Sequence, residues 1–212
     1  MATRFGRVSE THPLWRPFDL ASDEEIAAAA VGPRVPAPVE VVAPDSAWLT
    51  HFEQLRATIC AALGELALRV EHVGSTAVPG LWAKPFIDVD LTVADSADEA
   101  AYLPALEGSG FVLRVREPDW EEHRLVRGER PLANVHIWSP GAVEPRRHVA
   151  FRDWLRSDPA DHAAYAALKR RLAAQGFTDA MHYNNAKAAL IYDIYERIFA
   201  ADPVHPHAPH PR

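Results

Sequence analysis

Asp88 and Asp90 stand two apart in the run Phe86-Ile87-Asp88-Val89-Asp90-Leu91-Thr92-Val93. On a strand, alternate residues share a face, so the two carboxylates project together, roughly 6.6 Å apart along the backbone. Side by side they repel, and in an otherwise apolar strand they cost stability unless a cation or hydrogen bonds compensate. Phe86, Ile87, Val89, Leu91 and Val93 mark the strand as one built for burial. Mg²⁺, held through one or two carboxylates plus the phosphates of a substrate, answers that charge. Structural carboxylates on an exposed strand face are the alternative.

Upstream, Val70-Glu71-His72-Val73 alternates like a strand and runs into the small turn Gly74-Ser75-Thr76. Gly74 permits close backbone approach to a phosphate, and Ser75 and Thr76 add hydroxyl donors. Alone this is an ordinary tight turn; beside Asp88 and Asp90 it reads as a phosphate site. Lys84, four residues before Asp88, can reach a phosphate or stay solvated. Between Arg146 and Arg171 seven basic residues face three aspartates, locally +4 in a chain of formal charge −7. Arg146 is assigned to the cleft from this stretch. Tyr183 and Lys187, four apart on one helical face, form either a stacking and phosphate-binding pair or a lysine snorkelling past a tyrosine.

Val73-Gly74-Ser75, twelve residues, then Asp88-Val89-Asp90-Leu91 resembles the signature of the nucleotidyltransferase superfamily, the DNA polymerase β-like fold. The longer string HVGSTAVPGLWAKPFID (His72–Asp88) resembles the GrpB family within it, a family also found fused to dephospho-CoA kinase. The similarity extends from about Val41, through FRDWLRSDP at Phe151–Pro159, to YNNAKAALI at Tyr183–Ile191. It implies a nucleotide held at Gly74, Ser75 and Thr76, with Mg²⁺ on Asp88 and Asp90 bridging its phosphates. Arg152 and Lys169, which match the recurring segments, are implied to face the cleft and bind phosphate. Active members of the superfamily bring a third carboxylate on another strand. Here the matching strand, Val135-His136-Ile137, carries His136. As the third catalytic group it would ligate metal, favouring Mn²⁺, act as a base or bond a phosphate; it can equally be structural.

The implied activity is Mg²⁺-dependent nucleotidyl transfer, an acceptor attacking the α-phosphorus of a nucleoside triphosphate and releasing pyrophosphate. Two alternatives stand beside it: a non-catalytic nucleotide- or cofactor-binding module, and an accessory domain in coenzyme A metabolism.

The elements that must position these groups can be read from the pattern. Residues 1–44 form a Pro-rich arm with one short helix, capped by Ser22 and Glu25 and closed at Gly32-Pro33; Trp15 and Phe18 are its candidate anchors. Residues 45–144 form the α+β core. Its first helix, capped by Asp45 or Ser46, carries the apolar stripe Leu49, Phe52, Leu55, Ile59 and Leu63. Strands follow at 68–73 and 86–93. A helix capped by Ser96 and Glu99 closes at Gly108 and Gly110, and three strands run over 111–116, 123–127 and 134–138. Residues 145–200 form a helical subdomain of three helices: 146–156, one capped by Asp158-Pro159, and one capped by Thr178. The tail 201–212, with histidines 205, 207 and 210, is expected to be disordered and to bind metal only adventitiously. The fold class is therefore α+β, a nucleotidyltransferase-like mixed sheet with flanking helices and a C-terminal helical subdomain.

Composition limits the partners. A net charge of −7 offers no global attraction for nucleic acid. No apolar run approaches the roughly 20 residues that span a bilayer, and Met1–Glu10 lacks the apolar segment of a signal peptide. The single cysteine, Cys60, excludes an internal disulfide and fits a reducing compartment. A cytoplasmic protein binding a nucleotide or related phosphate compound is expected, of unspecified oligomeric state.

Overall fold

The computed structural model describes residues 11–33 and 37–212. Met1–Glu10 and positions 34–36 of the arm lie outside the described residues. The elements run α1 (Asp23–Ala29), α2 (Ala47–Leu63), β1 (Arg69–Val73), β2 (Ile87–Thr92), α3 (Glu99–Gly108), β3 (Val112–Glu117), β4 (His123–Glu129), β5 (Leu132–Trp138), α4 (Glu144–Ser157), α5 (Pro159–Ala173) and α6 (Ala180–Ala201). The five strands form one mixed sheet in the order β1-β2-β5-β4-β3, in which only β2 and β5 are parallel. This is an α+β fold, and every strand falls where alternation places it.

The period-2 rule divides the sheet into two faces. Ile87, Val89 and Leu91 of β2 and Ala133, Val135 and Ile137 of β5 point to one side. There they pack with Phe52, Leu55 and Ile59 of α2 and Tyr102 and Leu106 of α3 in the main core. The opposite face carries Asp88 and Asp90, with Asn134, His136 and Trp138 beside them and Val73 and Glu71 across on β1. The three C-terminal helices lie over this polar face. They pack on Val78 and Leu81 of the β1–β2 connection through Leu155, Tyr165, Ala166 and Ile194. The helical segment is thus the second layer of the sheet's own sandwich.

Several caps and contacts differ from the sequence reading. On α2, Trp48 takes the buried place expected for Leu49, which is 64% exposed. Helix α3 begins at Glu99 after Asp98. Ser96 is buried against Ser139, and Glu99 pairs instead with Arg116 and Arg124. Asp179, rather than Thr178, caps α6, accepting from the Met181 and His182 amides. The Ser22–Glu25 box and the Asp158 cap form as expected.

The arm and tail meet on α6. Trp15 Nε1 donates to Glu196, Phe18 packs edge-on against Tyr192, and Val31 bonds the edge of β3 at Arg114. The tail, expected to be disordered, folds back: His207 donates to Glu196 with its side chain 0% exposed, and Arg212 pairs with Asp193. Its rings find carboxylates on α6 and at Asp202, and those hydrogen bonds offset the cost of ordering a Pro-rich segment. No helix among the described residues is long and apolar enough to cross a membrane.

His72 shows how firmly β1 is fixed. Its ring stacks on Phe52 at 4.6 Å and donates from Nε2 to Thr76 Oγ1, whose own hydroxyl donates to the Phe86 carbonyl. Burial, reinforced by Arg156 and Arg152, pushes its pKa down from 6.5 to about 4. The native state therefore binds fewer protons than the unfolded chain between these values, so stability present above pH 6.5 is lost as pH falls towards 4. The expected loss is roughly 3 kcal/mol from this group. Urea titrations over that pH range should show His72→Gln reducing the slope by about one proton; an unchanged slope would count against this assignment.

Candidate functional site

The turn after β1 sets the geometry. Gly74 has φ +67°, and a Cβ placed there would meet the Asp88 Oδ2 carboxylate oxygen and come within 2.8 Å of Asp88 Cβ. Glycine is required both for the left-handed conformation and for this close approach. The hydroxyls of the turn are directed into the protein. Thr76 is buried between His72 and the Phe86 carbonyl, and Ser75 is bonded to Tyr165 of α5. Only Gly74 of the expected phosphate turn is exposed; Thr76 is a structural hydroxyl, because the His72 ring claims it.

Asp88 and Asp90 occupy one face, as their spacing requires, but each is already supplied with donors. Asn134 Nδ2 donates to Asp88 Oδ1 at 2.9 Å. Trp138 Nε1 donates to Asp90 Oδ1 at 3.0 Å, and His148 Nδ1 of α4 lies 2.9 and 3.2 Å from the two Asp90 oxygens. Burial pulls the His148 pKa down, but the charge and hydrogen bond of Asp90 outweigh it and hold the ring above its ordinary value. Asp90 accordingly stays below the carboxylate range despite burial. The pair is an internal histidine–carboxylate bridge, and Asp90 favours the charged form of the ring.

Asp88 faces three lysines. Lys84 comes from the loop before β2, Lys169 from α5 and Lys187 from α6, and each feels the Asp88 charge. Lys169 and Lys187 are 2% and 8% exposed. Lys169 donates to the Trp82 carbonyl and lies 5.2 Å from the Tyr165 ring. Lys84 and Lys187 flank Tyr183 at 5.7 and 4.5 Å. Burial, then repulsion by Lys84, brings Lys187 down to about 7 against the pull of Asp88. Burial raises Asp88, while Asn134, Lys84, Lys187 and His148 oppose it. The Tyr183 hydroxyl is buried without a hydrogen-bond partner among the described residues.

His136 pairs with Asp90 across the β2–β5 ladder, but its Nδ1 is 3.0 Å from His123 Nε2. His123 Nδ1 in turn lies 2.6 Å from Glu117 Oε2. With that proton given to Glu117, the uncharged His123 ring accepts from His136 Nδ1–H, leaving a lone pair on His136 Nε2. Burial, with the neighbouring His123, lowers the His136 pKa to about 3. Glu71, opposite Asp90 on β1, is the carboxylate the sequence reading did not find, yet it is bound to Arg69 and Arg152.

Arg152 is assigned differently from expectation. It spans Glu71, Asp153 and the His72 carbonyl, and so fastens α4 to β1. Arg146 is exposed, since it lies two residues from the inward-facing His148 and therefore on the far side of α4. The sequence reading missed His148, Asn134, Trp138 and Arg127, whose guanidinium sits 5.2 Å from Phe86 and reaches Asn134 Oδ1. The signals were present: His148 is one turn before Arg152, and Asn134 and Trp138 share the alternation of His136.

Among the described residues, the groups of three whose ligand atoms converge within 4.8 Å are His12, Asp202 and His205, and Glu196, His207 and His210. Neither includes Asp88 or Asp90. The Leu14 amide donates to His12 Nδ1, and the His12 amide to His207 Nδ1. In each uncharged ring Nε2 therefore carries the proton and gives it to Asp202 or Glu196. A metal on either Nε2 would set an Nδ1–H against an amide N–H, so these groups are hydrogen-bonded latches.

The GrpB protein family model matches residues 38–197. The chain belongs to the GrpB family. It is 44% identical to the UPF0157 protein BH1888 of Halalkalibacterium halodurans over 83% of this chain and 91% of that one. The crystal structure of conserved protein GrpB from Enterococcus faecalis superposes with a TM-score of 0.66 at 32% identity, covering 75% of this chain and 96% of that one. A dephospho-CoA kinase of Mycolicibacterium paratuberculosis is 34% identical over 76% of this chain, which spans only 46% of that protein.

Two outcomes follow for this GrpB-family protein. Gly74→Ala should cost roughly 2 kcal/mol or more, measured by denaturant unfolding, because the methyl group is forced onto Asp88; wild-type stability in that variant would mean the turn is not held this tightly. Lys187, depressed in the native state, binds fewer protons there than when unfolded between about pH 7 and 10.5. Ligand-free stability should therefore gain from this residue as pH rises from 7. Lys187→Met should flatten that gain and raise the pH 7 melting temperature, by 2–4 °C per kcal/mol recovered.

Proposed function

We propose that this protein binds a phosphate-bearing small molecule, a nucleotide or a related phosphate ester, in the cleft between the polar sheet face and α4–α6. The observation that carries the reading is the burial of lysines on this face: Lys169 and Lys187 are 2% and 8% exposed, Lys84 and Lys187 flank the Tyr183 ring at 5.7 and 4.5 Å, and all three feel the charge of Asp88. Buried ammonium groups are costly unless anions oppose them. Glu71 is committed to arginines and Asp90 to His148. Lys84, Lys169 and Lys187 outnumber the carboxylate left to them, and a phosphate supplies the further anion that would keep them charged, through charge-assisted bonds. Lys84, Lys169 and Lys187 hold phosphate in this reading, Tyr183 forms the wall between two of them, and Gly74 lets the ligand approach the backbone. Arg152 serves by holding α4 in place.

Nucleotidyl transfer is the second reading, favoured by the Gly74–Ser75 turn feeding directly towards the Asp88 and Asp90 strand. It needs Mg²⁺ or, with His136, Mn²⁺. The residues do not fit such an ion as they stand. The Asp90 oxygens accept from His148 and Trp138, Asp88 accepts from Asn134, and its remaining oxygen lies against Gly74. No transfer step is therefore derived, and the binding-module reading is preferred. The kinase-named relatives, matched over less than half their length, make coenzyme A precursors natural first ligands to try beside nucleotides.

A thermal-shift series with nucleoside mono- and triphosphates and coenzyme A precursors tests the proposal. At 100 times its dissociation constant a true ligand stabilises the native state by about 2.7 kcal/mol. That corresponds to roughly 5–10 °C in a protein of this size. Lys84→Met and Lys169→Met should each remove most of the shift. If no phosphate compound moves the wild-type transition, with or without divalent metal, the proposal is wrong.

A further inference from the structure

We infer that the cleft takes a phosphoryl dianion without any divalent metal, and that Asp88 serves there as a counter-charge to the lysines rather than as a metal ligand. This rests on the reading of the cleft as a phosphate site and specifies its ligand. It also reverses the role that the Asp-x-Asp spacing suggests.

The charges facing the cleft can be followed element by element. From β1 comes Glu71, neutralised by Arg69 and Arg152. From β2 come Asp88 and Asp90, the latter bridged by His148 of α4. His136 of β5 and His123 of β4 are bonded to each other and to Glu117. Arg127 of β4 stacks on Phe86 at the rim. Lys84, Lys169 and Lys187, with Arg127 beside them, then remain in the field of Asp88. A divalent cation entering here would meet three lysines and a histidine–carboxylate bridge, and would have to displace His148 and Asn134 to gain the oxygens they bond. Mg²⁺ demands near-octahedral oxygen coordination at about 2.0–2.1 Å. Three of the four carboxylate oxygens that could supply it already accept from Asn134, Trp138 or His148.

A phosphoryl dianion meets the opposite situation. Its negative charge favours the protonated form of lysines that burial has depressed, and its oxygens can accept from their ammonium groups. The Tyr183 hydroxyl, a buried donor without a partner, lies on the ring that Lys84 and Lys187 flank.

Replacing Asp88 separates the two roles, because their signs are opposite. If Asp88 were a metal ligand, Asp88→Asn would abolish phosphate binding. As a counter-charge, its loss removes the negative charge that competes with the ligand for the lysines. The amide can still pair with Asn134, so ligand-free Asp88→Asn should melt lower and bind inorganic phosphate and adenosine 5′-monophosphate more tightly. An expected gain of about tenfold corresponds to roughly 1.4 kcal/mol.

Calorimetric titration of the full chain with both probes, in EDTA and again in MgCl₂, is the experiment. Wild type should bind both probes equally well in EDTA, and Mg²⁺ alone should give no binding heat. Tight Mg²⁺ binding to the free protein, or probe binding that appears only with Mg²⁺, overturns this inference while leaving the phosphate-site reading intact. The wild-type EDTA comparison decides it even if Asp88→Asn fails to fold. No binding under any condition overturns both.

Discussion

Two carboxylates on alternate residues of a central strand are the constraint around which this molecule is arranged. Strand β2 is flanked on both sides, so Asp88 and Asp90 cannot turn to solvent at a sheet edge. Their charge must be met within the second layer. The helices do so one residue at a time. His148 brings α4 to Asp90, Arg152 ties the same helix to the next strand, Lys169 bonds α5 to the Trp82 carbonyl, and Lys187 of α6 adds positive charge in the field of Asp88. Apolar packing of Leu155, Tyr165 and Ile194 on Val78 and Leu81 supplies the non-directional part of the same docking. The polar contacts fix its register, since each admits only one helix position.

Aromatic rings form the other half of that design. Lysines buried beside Tyr165 and Tyr183 gain favourable contact with ring faces, which offsets a part of their lost hydration. The offset is incomplete, as the depressed Lys187 shows. On the far side of the sheet, aromatic packing is purely structural: His72 on Phe52 closes the β1–β2 connection and uses the Thr76 hydroxyl in doing so. One short turn thereby serves two faces, with Thr76 holding the core side while Gly74 opens the other.

Much of the fold was legible because it rests on periodicity. Strand positions follow from alternation, and Asp158 and Ser22 cap helices by local chemistry that neighbours do not override. The errors have a common cause, a tertiary partner that local pattern cannot display. Ser96 faces Ser139 instead of capping, Glu99 answers Arg116 and Arg124, and the histidines of the tail find Glu196 and Asp202. At the site, parity placed Asp88, Asp90 and His136 on one face correctly, and the four-residue spacing brought Lys187 against Tyr183. It could not tell which lysines share the field of Asp88, because Lys84 comes from a loop more than 80 residues before the two helices that carry Lys169 and Lys187. Local positive charge was a poor guide: Arg146 and Arg152 belong to the same basic stretch as Lys169, but one is exposed and the other is a clip.

The distinction matters for how such a motif is read. Gly-Ser followed by Asp-x-Asp specifies backbone geometry, a glycine at φ +67° lying against a carboxylate and two acids sharing a strand face. It does not specify the cation that those acids face. That choice is made by residues arriving from elsewhere in the chain. In a metal site the surrounding protein withholds donors and leaves carboxylate oxygens free to converge. Here Asn134, Trp138 and His148 aim N–H groups at those oxygens. The chain Glu117–His123–His136 also places an uncharged imidazole where a third acid would have added negative charge. Each departure shifts the cleft in the same direction, away from holding cations and towards holding an anion.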